Sequence, residues 1–257
     1  MRDNWYEPKK INATEAHDIK LELDVRCQAL IEKILAAAYP KIPVLGEEGN
    51  TGDTAAEYRW VIDPIDGTVN YAFGMPHAAV SIALQSKSDQ WRAVGDKKRT
   101  PNLVTRHASH ISIVGVIYDP FTDELWSTTI GQPTRLNGKV VHVSNRAKVE
   151  ESIVALGFSK SQNNLEKSLP HFIRILRRAK KIRVMGSAAL ELTYVACGRL
   201  DAYVERNLNL WDVAAGALLV ENAGGEFYAA PSLNGKMRMC ADNGRLRKKL
   251  QIGSLLK

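Results

Sequence analysis

The stretch WVIDPIDGTVNYAFG, Trp60–Gly74, sets two carboxylates three residues apart at the end of an apolar run and follows them at once with Gly67 and Thr68. Asp-Gly between apolar flanks is a strong turn signal, and Pro64 suits a turn as well. The same residues are hard oxygen donors. Asp63 and Asp66 across a Pro-containing turn can converge on neighbouring cations, and the backbone carbonyl of Ile65 can point the same way. The amides of Gly67 and Thr68, opening the next segment, can seat a phosphate. On these fifteen residues alone, a plain turn and a metal–phosphate site both stay open.

Two further motifs lie on either side. GEEG, Gly46–Gly49, is a solvated turn or a source of Glu47; WDVAAG, Trp211–Gly216, offers Asp212 either as a helix N-cap or as a ligand. Each carboxylate stands at the end of an expected strand or the start of an expected helix, where α/β folds build their sites. Glu47, Asp63, Asp66 and Asp212 together match what Mg²⁺ asks for, a few carboxylates plus water and substrate phosphate.

Outward from this core, DIKLELD reads as a half-buried strand through Ile19, Leu21 and Leu23, after a polar and irregular residues 1–16. Asp24 reads as the N-cap of a helix that carries Leu30, Ile31, Ile34, Leu35 and Ala38 to Pro40. PVLGEEG, YRWVID, AAVSIAL, ISIVGVIYDP and ELWSTTI read as strands, and RLNGKVV as a hairpin at Asn137-Gly138. After about residue 150 strands and helices alternate. SIVALGF, IRVMG and LDAYVER are strands; LPHFIRILRRAKK is an amphipathic helix with a basic outer face. SAALELTYVACG is a helix capped by Ser187 and ended by Gly198, and DVAAGALLVENAGG is another with Asp212 at its start. This succession predicts an α/β or layered α+β fold, with an N-terminal half over 1–150 and a C-terminal half over 151–257 in one compact catalytic unit.

Composition narrows the class. A chain of 257 residues with 45% hydrophobic and 25% charged residues has the makings of a globular core. No apolar run approaches a bilayer span and MRDNWYEPKK holds no apolar h-region, so no membrane association and no signal peptide are expected. Cys27, Cys197 and Cys240 are scattered and odd in number, which fits reduced thiols and a cytoplasmic address. Of the net charge of +7, residues 86–110 hold six Lys/Arg against two Asp. One basic excursion thus supplies most of the balance, and nucleic-acid binding is not expected. His17 and His77 read as structural or surface residues.

The motifs GEEG, WVIDPIDGTVNY, GSAALELTYVACGRLDAYVE and WDVAAGALLVENAGG, in this order from about Asp18 to Gly225, resemble the inositol monophosphatase family, closest to its bacterial inositol-1-monophosphatase branch. The resemblance implies a sandwich of alternating helix and sheet layers, like that of inositol monophosphatases and fructose bisphosphatases. It implies Mg²⁺-dependent, lithium-sensitive phosphomonoesterase activity with two or three ions, a small phosphorylated polyol as substrate, and a homodimer. By the same resemblance Glu47, Asp63, the Ile65 carbonyl, Asp66 and Asp212 are metal ligands. Glu47 and Thr68 orient the attacking water, and Asp24 lies behind Thr68. The amides of Gly67 and Thr68 hold phosphate, while Gly186, Ser187, Ala188 and Glu205 face the alcohol.

Relatives within the family act on 3′(2′),5′-bisphosphate nucleotides, fructose 1,6-bisphosphate or histidinol phosphate; an EWDTAAG-like form, typical of the nucleotidases, is absent here. A regulator that keeps the fold to bind RNA or protein is the alternative outside enzymes. Three features depart from the family pattern: a stretch before Asp18 too short for the family's long helix, from a truncated start or the helix's absence, the charged insertion at 86–110, and Arg206 and Asn207 where relatives often carry glycine.

Overall fold

The computed structural model of the chain describes residues 1–15, 18–87, 109–158, 162–232 and 235–251. The basic stretch 86–110, apart from its ends, and His17 lie outside the described residues. The N-terminal segment is not irregular. A 3₁₀ turn over Arg2–Asn4 precedes β1 (Ile11–Glu15), which pairs antiparallel with β2 (Asp18–Leu21). Trp5 meets Phe121 and Tyr71 edge-on, at 4.5 and 5.3 Å between ring centroids, and so ties this segment to the body.

The strand expected through Leu23 stops at Leu21, because α1 (Glu22–Ala38) has already begun. Asp24 is therefore not the N-cap. It sits inside the first turn, and its Oδ2 accepts the Leu21 N–H at 2.8 Å, so the carboxylate still answers one of the helix's orphan donors.

β3 (Val44–Gly46), β4 (Gly49–Thr51), β5 (Tyr58–Asp66) and the short α2 (Thr68–Ala72) follow. Next come β6 (Ala79–Lys87), β7 (His110–Asp119), β8 (Glu124–Thr129), β9 (Arg135–Leu136) and β10 (Lys139–Val140). Together these strands make an eight-stranded sheet in the order β10-β9-β8-β7-β6-β5-β3-β4. The β9–β10 hairpin turns at Asn137 and Gly138 with φ of 47° and 79°, the left-handed pair that the Asn-Gly dipeptide announces.

The second half supplies β11 (Ile153–Leu156), α3 (Gln162–Arg178), β12 (Lys181–Arg183), α4 (Ala188–Ala196), β13 (Ala202–Leu208), α5 (Leu210–Asn222), β14 (Glu226–Pro231), β15 (Met237–Asp242) and α6 (Arg247–Leu250). Its strands form a five-stranded sheet ordered β12-β11-β13-β15-β14.

Strand alternation builds the layers. On β5, Trp60 and Ile62 pack outward with Ile31 and Leu35 of α1, while Val61 turns inward. That inner face meets Leu190, Leu192 and Val195 of α4 and Leu219 and Val220 of α5. Beyond those helices lie Tyr203, Met239 and Ala241 of the second sheet. On the far side of that sheet Val154, Leu156, Ala202, Val204 and Cys240 pack under Phe172 and Ile175 of α3. The order is helix, sheet, helix pair, sheet, helix: a layered α/β fold. The central pair must be thin to fit. A β-carbon at Gly216 would come within 2.5 Å of the Leu192 side chain, so the leucine of α4 packs directly on the backbone of α5.

Two helix readings shift. α3 starts seven residues before Leu169 and runs through Pro170, and its outer face shows Leu169, Ile173 and Leu176 beside the arginines, so it is not purely basic. In α5 the N-cap is Asn209, with Asp212 inside the first turn. Among the described residues no helix is long and apolar enough to cross a membrane.

Candidate metal centre

In a regular strand, residues three apart point to opposite faces. Asp63 and Asp66 do not, because β5 carries a bulge where they lie: Asp63 stands opposite Ser81 but Asp66 opposite Ala79, three steps against two on β6. The extra residue brings both carboxylates round to the α4–α5 side. An Asx turn locks the bend, with the Ile65 N–H donating to Asp63 Oδ1 at 3.0 Å. The Ile65 carbonyl accepts the Thr68 hydroxyl at 2.8 Å, which uses one of its two lone pairs. Gly67 then has φ of 90°, and a β-carbon there would meet the His77 carbonyl at 2.9 Å. Only glycine admits the turn.

Asp66 reaches across to the second half of the chain. It accepts the Ser187 hydroxyl and, at 2.8 Å, the Ala189 N–H, so it caps α4 from outside. Ser187 itself is the N-cap of α4, as its sequence indicates, and its hydroxyl is engaged with Asp66. Asp212 is held by the first turn of α5, its Oδ2 accepting the Asn209 N–H at 2.7 Å. From these three supports Asp63, Asp66 and Asp212 bring carboxylate oxygens within 4.8 Å of one another. Glu47 follows β3, anchored by its N–H to the Ile62 carbonyl at 3.2 Å, and its side chain is hydrogen-bonded to Asp63. Glu48 turns away into an ion pair with Lys20 at 3.7 Å.

The electrostatics are those of a site built for positive charge. Burial lifts Glu47 to about 7 and Asp66 to about 6, the latter despite the Ser187 and Ala189 hydrogen bonds that pull it down. Burial, with neighbouring carboxylates behind it, drives Asp63 and Asp212 well above the usual range. Among the described residues the charges acting on Glu47, Asp63 and Asp212 are negative. Desolvated carboxylates of like sign, with no Lys or Arg among them, can all ionise together only around a cation, and an all-oxygen donor set suits Mg²⁺.

Glu205, Gly186 and Ala188 border the same region. Gly186 has φ of 79° and its carbonyl accepts from Asn70 at 3.2 Å. Glu205 accepts the Tyr203 hydroxyl, and its carboxylate fills the space where a side chain at Gly157 would stand.

Sequence reading passed over Glu191. It is 1% exposed, accepts the Met185 N–H at 3.2 Å, and is pushed to about 9 by burial and then by Glu205. An acid inside the otherwise apolar AALELTYVA was the available signal.

A family model described as the inositol monophosphatase family matches residues 1–91 and 106–245. The chain is 37% identical over 222 residues to Nus factor SuhB of Pseudomonas aeruginosa, covering 84% of this chain and 73% of that protein. It is 33% identical over 240 residues to inositol-1-monophosphatase of Synechocystis sp., covering 91% and 76%. Among solved structures, the extragenic suppressor protein SuhB from Bartonella henselae superposes with a TM-score of 0.83 at 30% identity, over 97% of this chain and 90% of that one.

Proposed function

The chain belongs to the inositol monophosphatase family, and from that premise we propose that it is a Mg²⁺-dependent phosphomonoesterase hydrolysing an inositol monophosphate to inositol and phosphate. The observation that carries the reading is the convergence of Asp63, Asp66 and Asp212 within 4.8 Å, with Glu47 alongside and, among the described residues, no basic side chain to neutralise them. In this proposal Glu47, Asp63, the Ile65 carbonyl, Asp66 and Asp212 hold two or three ions. Bound Mg²⁺ supplies the charge that offsets the phosphoryl oxygens and makes neighbouring water more acidic.

The chain's own groups do the rest. Glu47 and the Thr68 hydroxyl orient the attacking water in line with the P–O bond, and Asp24 supports Thr68. The amides of Gly67 and Thr68 hold phosphoryl oxygens. The phosphorus–alkoxide bond breaks as water adds, and the alcohol leaves among Gly186, Ser187, Ala188 and Glu205, whose carboxylate accepts from polyol hydroxyls. The two halves, 1–150 and 151–257, act as one unit because Asp66 comes from the first and its cap on α4 from the second. Lithium inhibition, a homodimer and a cytoplasmic address belong to the same proposal.

Asp63→Asn tests it. Mg²⁺-dependent phosphate release should vanish while the unfolding transition stays cooperative; retained turnover would overturn the ligand assignment. A panel of inositol 1-phosphate, adenosine 3′,5′-bisphosphate, fructose 1,6-bisphosphate and histidinol phosphate fixes the ester. A second reading, a regulator on the same fold, draws on the relatives named Nus factor. No release from any ester would favour it, although a binding protein has no need of four converged carboxylates.

A further inference from the structure

On the opposite face of the five-stranded sheet the charge pattern reverses. Arg206 of β13 and Arg238 of β15 stand directly opposite each other in antiparallel register. They continue the rows Ala202–Val204 and Cys240 that pack beneath α3, so they emerge on the α3 side, away from the face that carries Glu205. His171 of α3 is half-buried, and Arg174, exposed on the same helix, is close enough to act on it. Arg238 acts on Arg206, and Arg174 and Arg206 act on His171, each lowering its partner's affinity for a proton. Burial first, and this repulsion second, hold both groups below their ordinary values.

The arginines are also unsatisfied. Arg206 Nε and Arg238 Nε are shut off from solvent and meet no acceptor. Among the described residues neither guanidinium pairs with a carboxylate. Elsewhere Arg146, Arg178, Arg199 and Arg247 each find an acidic partner, and Arg59 Nε finds an acceptor in Gln85. Like charges directly opposed across a sheet are destabilising, and a buried N–H donor without an acceptor costs free energy. Sequences keep such local conflicts where a ligand resolves them. Two guanidinium forks side by side on adjacent strands, with the imidazole of His171 near Arg206, suit the oxygens of a phosphate group.

We propose that Arg206, Arg238, His171 and Arg174 form a second anion site, for a small phosphate-bearing ligand, between α3 and the β13–β15 pair. It is separate from the carboxylate cluster and does not rest on the phosphatase reading.

Calorimetric titration of inorganic pyrophosphate into the full chain in EDTA tests it. Without divalent metal the carboxylate cluster repels anions, so binding reports on the arginines. Saturable binding to one site is expected, weakened at least tenfold by Arg206→Gln and by Arg238→Gln and unchanged by Asp63→Asn. Arg238→Lys, which keeps the charge and loses the fork, should weaken it less, and guards against a variant that folds poorly. Without anion, Arg238→Gln should unfold at a temperature no lower than the parent. No saturable binding, or binding that survives both arginine substitutions, would overturn the proposal and leave an uncompensated like-charge pair.

Discussion

Replacing Glu47 by Gln should make the metal-free protein more stable, although Glu47 belongs to the proposed site. The carboxyl is carried from an ordinary 4.5 to about 7 by burial and by its acidic neighbours. The folded state therefore holds this proton more tightly than the unfolded chain does. Stability from this group is present below about pH 4.5 and is lost as pH rises through 7. At about 1.4 kcal/mol per tenfold change, ionising Glu47 in the fold costs about 3 kcal/mol by pH 8. Gln keeps the shape and removes the charge.

Unfolding in EDTA should thus show parent and variant nearly equal at pH 4 and the variant ahead by about 3 kcal/mol at pH 8, roughly 6–10 °C in midpoint for a domain of this size. Adding Mg²⁺ should narrow the gap. The parent gains about 2.7 kcal/mol at a hundred times its dissociation constant, and the variant, short of a ligand, gains less. A Gln variant less stable than the parent in EDTA at pH 8, or a difference that does not change with pH, would refute the picture of crowded, desolvated carboxylates.

Other perturbations test the supports of the site. Ser187→Ala removes both the α4 cap, worth about 1 kcal/mol, and a donor to Asp66. Half-saturation by Mg²⁺ should rise while turnover at saturating metal changes little, and an unaltered metal requirement would count against the Ser187–Asp66 coupling. Gly157→Ala places a methyl group where the Glu205 carboxylate lies. KM for a polyol phosphate should rise more than kcat falls, with turnover of p-nitrophenyl phosphate spared; an equal loss on both substrates would contradict a substrate-facing Glu205. Asp201→Ala strips the Ser144 hydroxyl, Arg146 Nε at 2.7 Å and the Ile153 N–H at 2.7 Å of a fully buried acceptor. Denaturant unfolding should show a loss of about 3 kcal/mol, moderated because Arg146 is 40% exposed and can turn to water.

Most of the elements were legible in the chain, since each rests on contacts within a few residues. The Asn137-Gly138 hairpin, the Ser187 cap and the end of α4 at Gly198 follow from local backbone preference, and all stand where expected. Helix starts were less legible. Asp24 and Asp212 look like caps because Asp is a good cap, yet both sit inside the first turn and accept an N–H from the cap position. Local preference ranks neighbouring positions too closely to separate them. The hairpin of β1 and β2 was not legible either, because a polar strand leaves no periodic apolar signature.

By itself, then, the sequence determined the layered fold, the family, and which acids are candidates for metal: Glu47, Asp63, Asp66 and Asp212 are the right chemical types at element boundaries. Tertiary structure decided what they do together. A one-residue bulge against β6 turns Asp63 and Asp66 to one side, a cap on α4 anchors Asp66 from 123 residues away, and α5 delivers Asp212. The raised proton affinity of Glu191 and the unpaired Nε groups of Arg206 and Arg238 likewise come from packing. Burial and charge crowding are properties of groups distant in the chain and close in space, and only packed layers bring them within reach of one another.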